Sequence, residues 1–386
     1  MAKRHTRRTP GTGYTTKAPN GTSTAYFPKR GGGYHVRRGF DTSAAAEAWL
    51  DSLLTQRDAK LDVGSGQQRV GTWMDRWAER AAKDREWKAK MVADVAYKLG
   101  YVKPYLGSMA LADVLPDHVD AMLDELGKDL AQTTVRQIRN YLYQVFEEAR
   151  GRRYITFNPV LKPQRRKRAK QREPQRLSAA QAASLLAAAD DSFYGVAWWL
   201  ILSLGMRAGE VCGLRRGDID FERATLTIAQ EATDVRGTVL LDTPKGDKER
   251  TVPIPRALLP LLQQHLQHVT RRAAQGMQRG TWHEHGLVFP GRSGKPMNPT
   301  SLRHMLKRLT DARHLPPVTT HMLRHTASSL YTAVNCPENL IAALLGHAPS
   351  TITRHYAQPD VETLRGWVEQ VYRLLDGEVE RGQRSA

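Results

Sequence analysis

One arginine in this sequence stands in an unusual backbone setting. Arg207 lies between Gly205 and Gly209 at a predicted helix junction, where glycines allow the backbone to pack closely. Glu210 follows three positions later and could hold the guanidinium in place. A guanidinium stays charged at any working pH and offers paired N–H donors, a geometry suited to phosphate oxygens. The same residues also fit an ordinary surface Arg–Glu pair, so this cluster alone does not establish a site.

A second cluster places three basic side chains close together in the sequence. His321 and Arg324 are three positions apart, so a helix would present both on one face, while Leu323 would point toward the core. This density of basic side chains is unusual for a helix that only packs. His325 could instead be a structural histidine whose hydrogen bonds are satisfied.

Two further features lie between and beyond these clusters. Lys245, with Lys248 close by, falls in a predicted turn between two strands, where a lysine is ordinarily a solvated tip. Gly346 ends an apolar helical run, His347 follows it, and Tyr356 comes nine residues after that histidine. The ordinary interpretation of Tyr356 is a half-buried aromatic side chain. No single cluster indicates a function, but their order and spacing do.

This order and spacing resemble the tyrosine recombinase family, of which phage integrases are one branch. Residues 205–210 match the family's G-x-R-x-G-E pattern, residues 321–326 its H-x-L-R-H-T box, and residues 345–347 its L-G-H box. Lys245 matches the family's hairpin lysine, and Tyr356 matches its nucleophilic tyrosine. Together these motifs are highly specific.

The resemblance implies how several of these residues act on a phosphodiester, whose transition state spreads negative charge over the non-bridging oxygens. Arg207 and Arg324 would donate hydrogen bonds to these oxygens, with Glu210 supporting Arg207. His347 would donate a further hydrogen bond to a phosphoryl oxygen. One such donor typically contributes roughly 3 kcal/mol, so the loss of either arginine should be severe.

The resemblance also implies covalent catalysis by Tyr356, with a 3′-phosphotyrosyl intermediate and a free 5′-hydroxyl. Free tyrosine has a pKa of about 10, so the positive site should favour the phenolate, and His321 could accept its proton. Lys245 could protonate the leaving 5′-oxygen, although Lys248 competes for this role. Neither ATP nor another cofactor is expected, and no metal site is implied.

The fold expected from these patterns is multidomain and mainly α-helical, with small antiparallel β-sheets. Named after the family, the predicted segments are an arm-type DNA-binding module of a small sheet and a helix (1–64), a helical core-binding domain (67–160), a basic interdomain linker (161–176), a catalytic domain of helices with an inserted three-stranded sheet (177–376) and a tail (377–386).

In the first segment, residues 24–27 and 34–37 flank a glycine-rich turn, which predicts a hairpin. Thr42 or Ser43 is expected to cap the helix that follows. A disordered basic arm is the alternative, since residues 1–40 carry nine Lys/Arg and no acidic residue.

Periodicity predicts the elements of the two larger segments. Residues 67–150 show helical spacing throughout, with Asp117 expected to cap a shorter helix and the Gly-Ser-Gly of residues 64–66 expected to be a flexible linker. Ser178 is expected to cap another helix, and residues 196–204 form a buried one. The predicted strands of the catalytic domain are residues 224–229, 238–241 and 250–254.

Residues 162–176 carry eight Lys/Arg, one glutamate and two prolines. Because like charges repel, this segment is expected to be extended alone and ordered against a phosphate backbone. Its predicted DNA contacts are Arg165, Arg166, Lys167, Arg168, Lys170 and Arg172. A nuclear-localisation signal is the alternative interpretation of the same residues.

Composition narrows the class of partner. The formal net charge is +19 and the pI is about 10.0, which favours a polyanion such as DNA over an acidic lipid surface. Two cysteines make neither a disulfide framework nor a four-cysteine zinc site, and they suit a reducing cytosol. The basic N-terminus lacks the apolar run of a secretory signal, and no apolar stretch is long enough to span a bilayer. A cytoplasmic, nucleoid-associated protein without a membrane anchor is therefore expected.

The function implied by the resemblance is site-specific integration, with excision as the reverse reaction, of a mobile element. Four protomers would exchange strands between two double-stranded attachment sites through a Holliday junction, with accessory DNA-bending or directionality factors as further partners. Two alternatives differ in class: a type IB topoisomerase, which relaxes DNA as a monomer, and an inactive DNA-binding regulator. The arm-type module and the L-G-H box argue against the topoisomerase, and the full set of motif residues argues against the regulator.

Overall fold

The structure is a computed structural model that describes residues 8–29, 32–58, 65–161, 176–190, 192–244, 249–346 and 359–384. The chain divides into two compact units, Met1–Ala169 and Lys170–Ala386. Both units are mainly helical with small antiparallel sheets, so the predicted fold class is confirmed.

The first unit begins with a three-stranded antiparallel sheet followed by a helix. The strands are β1 (Tyr14–Lys17), β2 (Ser23–Pro28) and β3 (Tyr34–Phe40), in the order β1-β2-β3, and the helix is α1 (Ser43–Asp58). Thr42 caps the helix, since its Oγ1 accepts a hydrogen bond of 3.1 Å from the N–H of Ala45. The predicted hairpin, helix and cap are confirmed, and β1 is a strand that the sequence analysis missed.

This sheet and helix enclose a small core of their own. Alternate side chains of β2 are buried, and Ala25 and Phe27 pack against Leu50 and Leu53 on one face of α1. The period of two along the strand and the spacing of three along the helix are what bring these four apolar side chains together.

The rest of the first unit is a helical bundle. Its helices are α2 (Val70–Asp84), α3 (Ala89–Gly100), α4 (Lys103–Leu106), α5 (Pro116–Asp129) and α6 (Gln132–Gly151). Trp73, Trp77 and Phe146 lie in its core, where the indole N–H of Trp73 donates a 3.0 Å hydrogen bond to the carbonyl of Val145. A buried Trp needs such a partner, which ties α2 to α6.

Two details of this bundle correct the sequence analysis. Asp117 lies inside the first turn of α5 and does not cap it: the flanking residue is Leu115, whose N–H donates to Nδ1 of His118 at 3.2 Å. Pro116 sets this start, because proline suits the first helical position. The prediction of a flexible linker at residues 64–66 was also wrong for the two of these residues that the structure describes. Ser65–Gln67 is a 3-10 turn, and Gly66 packs so closely that a Cβ on it would lie 2.5 Å from the Tyr154 carbonyl oxygen.

The second unit is built around a wholly buried helix. Its helices are α7 (Ala179–Ala189), α8 (Gly195–Leu204), α9 (Ala208–Gly213), α10 (Leu259–Gln278), α11 (Pro299–Ala312), α12 (Thr320–Ala333), α13 (Glu338–Leu345) and α14 (Val361–Arg384). Every residue of α8 is buried, which follows from its continuous apolar sequence. Ser178 caps α7 as predicted, with Oγ accepting a 3.2 Å hydrogen bond from the N–H of Gln181.

The strands of the second unit form two small sheets. A three-stranded sheet has the order β4-β5-β8, formed by β4 (Ile219–Asp220), β5 (Thr225–Ile228) and β8 (Arg250–Pro253), and a separate hairpin is formed by β6 (Glu231–Val235) and β7 (Thr238–Asp242). A three-stranded sheet is therefore present, but its membership differs from the prediction. The predicted strand at 238–241 pairs with β6, whose mixed polar sequence gave no strand signal, and β4 supplies the third strand instead.

The last helix, α14, closes the second unit. Leu364, Val368, Val371 and Leu375 recur at helical spacing and are buried in the same core as α7 and α8. Within the described residues, each helix is too short or too polar to cross a membrane.

Candidate active site

The first motif arginine begins helix α9 at a sharp reversal of the chain. Gly205 ends α8 in the left-handed conformation, with φ of 65°, and Arg207 lies just before the first residue of α9. A side chain on Gly205 would clash with Cδ2 of Leu345, so both backbone conformation and packing require glycine here. The G-x-R-x-G-E pattern is thus explained in part by close packing against the end of α13.

Glu210 lies wholly buried and holds two arginines. Its Oε1 accepts hydrogen bonds from Nη1 of Arg207 at 2.6 Å and from Nη1 of Arg250 at 3.0 Å. Its Oε2 accepts from the backbone N–H of Arg207 at 2.8 Å and from Nη2 of Arg250 at 2.8 Å. Burial alone raises the pKa of Glu210, but the hydrogen bonds and charge of Arg250, and those of Arg207, outweigh it and lower the pKa. The surface Arg–Glu pair that the sequence left open is therefore excluded.

Arg324 is buried on helix α12 and reaches two segments distant in sequence. Its Nη1 donates a 2.8 Å hydrogen bond to the carbonyl of Gly205, and its Nη2 donates to the carbonyl of Leu345. Burial lowers the pKa of Arg324 to about 10, and the positive charges of Arg207 and Arg250 act in the same direction, while Glu210 opposes them. The guanidinium is still charged near neutral pH.

Thr326, also in the H-x-L-R-H-T box, anchors α12 to the start of the second unit. Its Oγ1 accepts a 3.0 Å hydrogen bond from the N–H of Leu177 and donates a 3.1 Å hydrogen bond to the carbonyl of Met322. This threonine therefore fixes the helix that presents Arg324.

The carboxyl end of α13 is where the three arginines converge. The carbonyls of Leu344, Leu345 and Gly346 accept hydrogen bonds from Arg250, Arg324 and Arg207 respectively. Carbonyls at a helix end have no partner within the helix and carry partial negative charge, so guanidinium groups are favourable there. Gly346 has φ of 63°, and a Cβ on it would lie 2.8 Å from Nη1 of Arg250. The next residue in the chain is His347.

The histidines of the second cluster lie on the exposed side of α12. His321 is exposed, and its ring meets that of His325 edge to face, with centroids 4.6 Å apart. His321 and Arg324 are both on α12, as the spacing predicts, although Arg324 is buried and His321 is not.

Of the predicted site residues, the structure describes Arg207, Glu210, His321 and Arg324, and it brings both arginines to the end of α13. Outside the described residues lie Lys245, its competitor Lys248, His347, Tyr356 and the linker residues Arg165, Arg166, Lys167, Arg168, Lys170 and Arg172. Residues 243–249 join β7 to β8, strands that belong to different sheets.

Arg250 is the residue that the sequence analysis missed. It opens β8 with its guanidinium buried, and its side chain makes more of the described hydrogen bonds within the cluster than the side chain of Arg207 or of Arg324. One feature of the sequence could have pointed to it: Arg250 begins a predicted strand that also holds Val252 and Ile254, and a charged residue that such a strand buries needs a counterion. The sequence could not show that Glu210, 40 positions earlier, is that counterion.

This arrangement can bind an anion. Among the described residues, the cluster holds three guanidinium groups and one carboxylate, so it has an excess of positive charge. A guanidinium has five N–H donors. The described contacts of Arg207 and Arg324 use two nitrogens each, which leaves donors on both side chains for a bound oxyanion.

Comparison with known proteins indicates the family of this chain. Residues 175–363 match the phage integrase family, and residues 71–165 match the phage integrase central domain. An integrase from Streptomyces ambofaciens is 25% identical over 399 residues, an alignment that covers 99% of this chain and 99% of that protein.

Solved structures share the fold. The Tn1549 transposon integrase in complex with a circular intermediate DNA has a TM-score of 0.60 at 20% identity, covering 78% of this chain and 99% of that one. A lambda integrase tetramer bound to a Holliday junction has a TM-score of 0.57 at 18% identity, covering 92% of this chain and 100% of that one. Because these two family models together match most of the chain, and the arginines of two motifs meet at the end of α13, the chain belongs to the phage integrase family of tyrosine recombinases.

Proposed function

We propose that this chain is a site-specific DNA recombinase that cleaves and rejoins DNA strands to integrate, and in reverse to excise, a mobile element. One observation carries the proposal: Arg207 and Arg324, from motifs far apart in the sequence, converge on the carbonyls of Leu345 and Gly346. The chain leaves this point toward His347 and Tyr356. A tyrosine ten positions after Gly346 in the sequence, together with this cluster of guanidinium groups, suits nucleophilic attack on a phosphodiester.

The arginines stabilise the negative charge of the phosphate. Arg207 and Arg324 donate hydrogen bonds to the non-bridging oxygens, whose negative charge grows in the transition state. Because these guanidinium groups are fixed by Glu210 and by backbone carbonyls, they need little reorganisation as the charge develops. His347 donates a further hydrogen bond to a phosphoryl oxygen.

The covalent step exchanges one phosphoester bond for another. The phenolic oxygen of Tyr356 attacks phosphorus, the bond from phosphorus to the 5′-oxygen breaks, and a 3′-phosphotyrosyl bond forms. His321 accepts the phenolic proton, and Lys245 or Lys248 gives a proton to the 5′-oxygen as it leaves. Attack by a 5′-hydroxyl of the partner strand reverses these steps and releases Tyr356.

The assembly and its partners extend the proposal. Four protomers act on two double-stranded attachment sites, and the strands are exchanged in two rounds through a Holliday junction. The sheet and helix at residues 1–64 bind a second, arm-type site, and the basic linker at 161–176 follows the phosphate backbone. Accessory DNA-bending or directionality factors complete the complex. The reaction takes place in the cytoplasm, on the host nucleoid.

Covalent trapping tests this function. A DNA duplex is first enriched from a random library by binding to the full chain, and it is then made with a nick at successive positions so that the cleaved end is lost. Wild type should form a DNA-linked band on a denaturing gel with chelator present, and Tyr356→Phe should not. A duplex that binds but never forms a band in wild type contradicts the proposal, and a band that persists in Tyr356→Phe assigns the nucleophile elsewhere.

A further inference from the structure

The most fully bonded side chain of the cluster has no role in the chemistry described so far. Arg250 is buried, and its two terminal nitrogens hold both oxygens of Glu210 at 3.0 and 2.8 Å. Its Nε donates a 3.1 Å hydrogen bond to the carbonyl of Leu344. Arg250 thus makes fork-to-fork contact with the carboxylate and a separate contact with the end of α13.

Arg250 and Arg207 make the same kinds of contact. Both arginines share the carboxylate of Glu210, and each also reaches a carbonyl at the end of α13, Leu344 for Arg250 and Gly346 for Arg207. Gly346 packs against the guanidinium of Arg250, with the added-Cβ position only 2.8 Å from Nη1. The two arginines, Glu210 and the last turn of α13 therefore form one closed set of contacts.

Resting on the proposed function, we infer that Arg250 is a positioning residue that fixes Arg207 through Glu210 and fixes the end of α13 through Leu344. It thereby holds the phosphate-binding guanidinium of Arg207 in a fixed position relative to the end of α13, after which the sequence continues to Tyr356. Arg250 itself touches neither phosphate nor nucleophile in this role.

Two physical effects support this assignment. Without Arg250, the buried carboxylate of Glu210 loses its bidentate partner and would draw the Arg207 guanidinium toward itself or take up a proton, because an underpaired buried charge is unfavourable. Without the bond to Leu344, one helix-end carbonyl also loses its donor. Both losses move the arginine and the helix end relative to each other, and small misplacements of this kind are costly in catalysis.

The competing explanation is a purely structural ion pair, and four variants separate the two. Arg250→Gln removes the bidentate contact but leaves Glu210 as an underpaired buried charge. The double variant Glu210→Gln/Arg250→Gln removes both charges, so it should recover stability even if Arg250→Gln folds poorly. Tyr356→Phe is the inactive reference.

Arg365→Gln is the matched structural control. Arg365 is also largely buried, at 15% side-chain exposure against 8% for Arg250. It holds a glutamate, Glu362, through two nitrogens at 2.8 and 2.7 Å and donates to the carbonyls of Arg223 and Ala224. It therefore makes the same kinds of contact, on helix α14 rather than on strand β8 and with an exposed carboxylate in place of a buried one.

The first experiment measures two quantities for each full-length variant: its melting temperature, and its single-turnover rate of covalent adduct formation on the enriched nicked duplex. Both are compared with those of wild type. In the double variant we expect the melting temperature to return to near that of wild type, while the rate stays about 10²-fold below it, as for a lost transition-state donor. A rate that recovers together with the melting temperature overturns the inference.

The second measurement compares this duplex with one in which a methyl group replaces a non-bridging oxygen of the scissile phosphate, which removes its negative charge. If Arg250 acts through Arg207 on that charge, Arg250→Gln and the double variant should lower the single-turnover rate less on the methyl substrate than on the natural one. The factor by which the rate falls should be at least about 10-fold smaller, because most of the contribution of one oxyanion donor is no longer needed there. Arg365→Gln should lose the same factor on both. Equal losses on both substrates for Arg250→Gln would show a structural role only.

Failure of the proposed function gives a different result. If wild type forms no adduct that depends on Tyr356, the recombinase assignment falls, and the positioning role falls with it. If wild type forms that adduct but the double variant matches it in rate, the inference about Arg250 and the supporting role of Glu210 are wrong, while the recombinase assignment stands.

Discussion

The guanidinium of Arg324 donates a 2.8 Å hydrogen bond to the carbonyl of Gly205, 119 positions earlier in the chain. This contact joins the H-x-L-R-H-T box to the G-x-R-x-G-E motif through backbone, so the second arginine helps to fix the turn that presents the first. Its other terminal nitrogen reaches the carbonyl of Leu345, the first residue of the L-G-H box. Three motifs that are separate in sequence are thus held by one side chain, and substitutions in any of them should affect the others.

Both motif arginines should be intolerant even of lysine. Arg207→Lys and Arg324→Lys keep the positive charge but lose the planar fork that bridges the protein contacts and the phosphate. Each should lower single-turnover cleavage by about 10²- to 10³-fold, the usual effect of removing one oxyanion donor. Binding of the duplex, measured by gel shift, should change far less. A cleavage rate within threefold of wild type in either variant would contradict the assignment of that arginine.

The buried Glu210 should make stability depend on pH. Its pKa is lowered below the ordinary value of 4.5, because Arg250 and Arg207 outweigh the effect of burial. A carboxylate with a lowered folded-state pKa stabilises the fold fully above about pH 4.5, and this stabilisation is lost as the pH falls through its folded-state pKa. At neutral pH, Glu210→Gln should cost about 3–5 kcal/mol, since it leaves buried guanidinium groups short of a partner.

Urea unfolding followed by tryptophan fluorescence measures this difference between wild type and Glu210→Gln. The gap should stay constant from pH 6 down to about pH 4.5 and narrow at lower pH. Glu362→Gln is the control, because Glu362 is exposed and its loss should change stability little at any pH. A gap for Glu210→Gln that is constant with pH would mean that its charge does not stabilise the fold.

The glycine of the L-G-H box can be tested against a second glycine with the same backbone. Gly346 and Gly280 both follow helices in the left-handed region, with φ of 63° and 65°. A Cβ at Gly280 meets open space, whereas one at Gly346 would lie 2.8 Å from Arg250. Gly280→Ala should therefore cost only the backbone strain, about 1 kcal/mol, and leave cleavage unchanged.

Gly346→Ala should cost more in thermal stability and also slow cleavage by at least tenfold, because it displaces the Arg250 guanidinium; tenfold in rate corresponds to about 1.4 kcal/mol. Melting curves and adduct formation measured on both variants decide the matter. Equal effects of the two substitutions would show that only backbone strain matters at Gly346.

The basic linker should contribute to the salt dependence of DNA binding. If Arg165, Arg166, Lys167, Arg168, Lys170 and Arg172 contact phosphates, replacing all six with glutamine should weaken binding to every DNA sequence alike. The slope of log K against log salt should also become shallower by about 0.9 for each phosphate that is no longer neutralised. Gel-shift titrations at several salt concentrations measure this slope. A slope that matches wild type would assign these charges to something other than the DNA backbone.

Much of this protein could be predicted because the signals are local. The apolar run of α8, the Ser178 cap and the helical spacing of α2 to α6 depend on residues a few positions apart. The motif arginines could be named for a similar reason, since fixed spacing around Arg207 and Arg324 carries the family's pattern. The polar strand β6 was missed because its pairing with β7 is set by neighbours rather than by its own sequence.

Which charge pairs with which depends on the tertiary structure. The sequence alone specifies a mainly helical, multidomain DNA-acting protein with two arginines in family motifs, because composition and short-range spacing are enough for these features. It could not show that Glu210 is buried, that Arg250 shares it with Arg207, or that all three arginines meet the end of α13. Those contacts span 21 to 139 positions, and they form only when packing brings distant segments together.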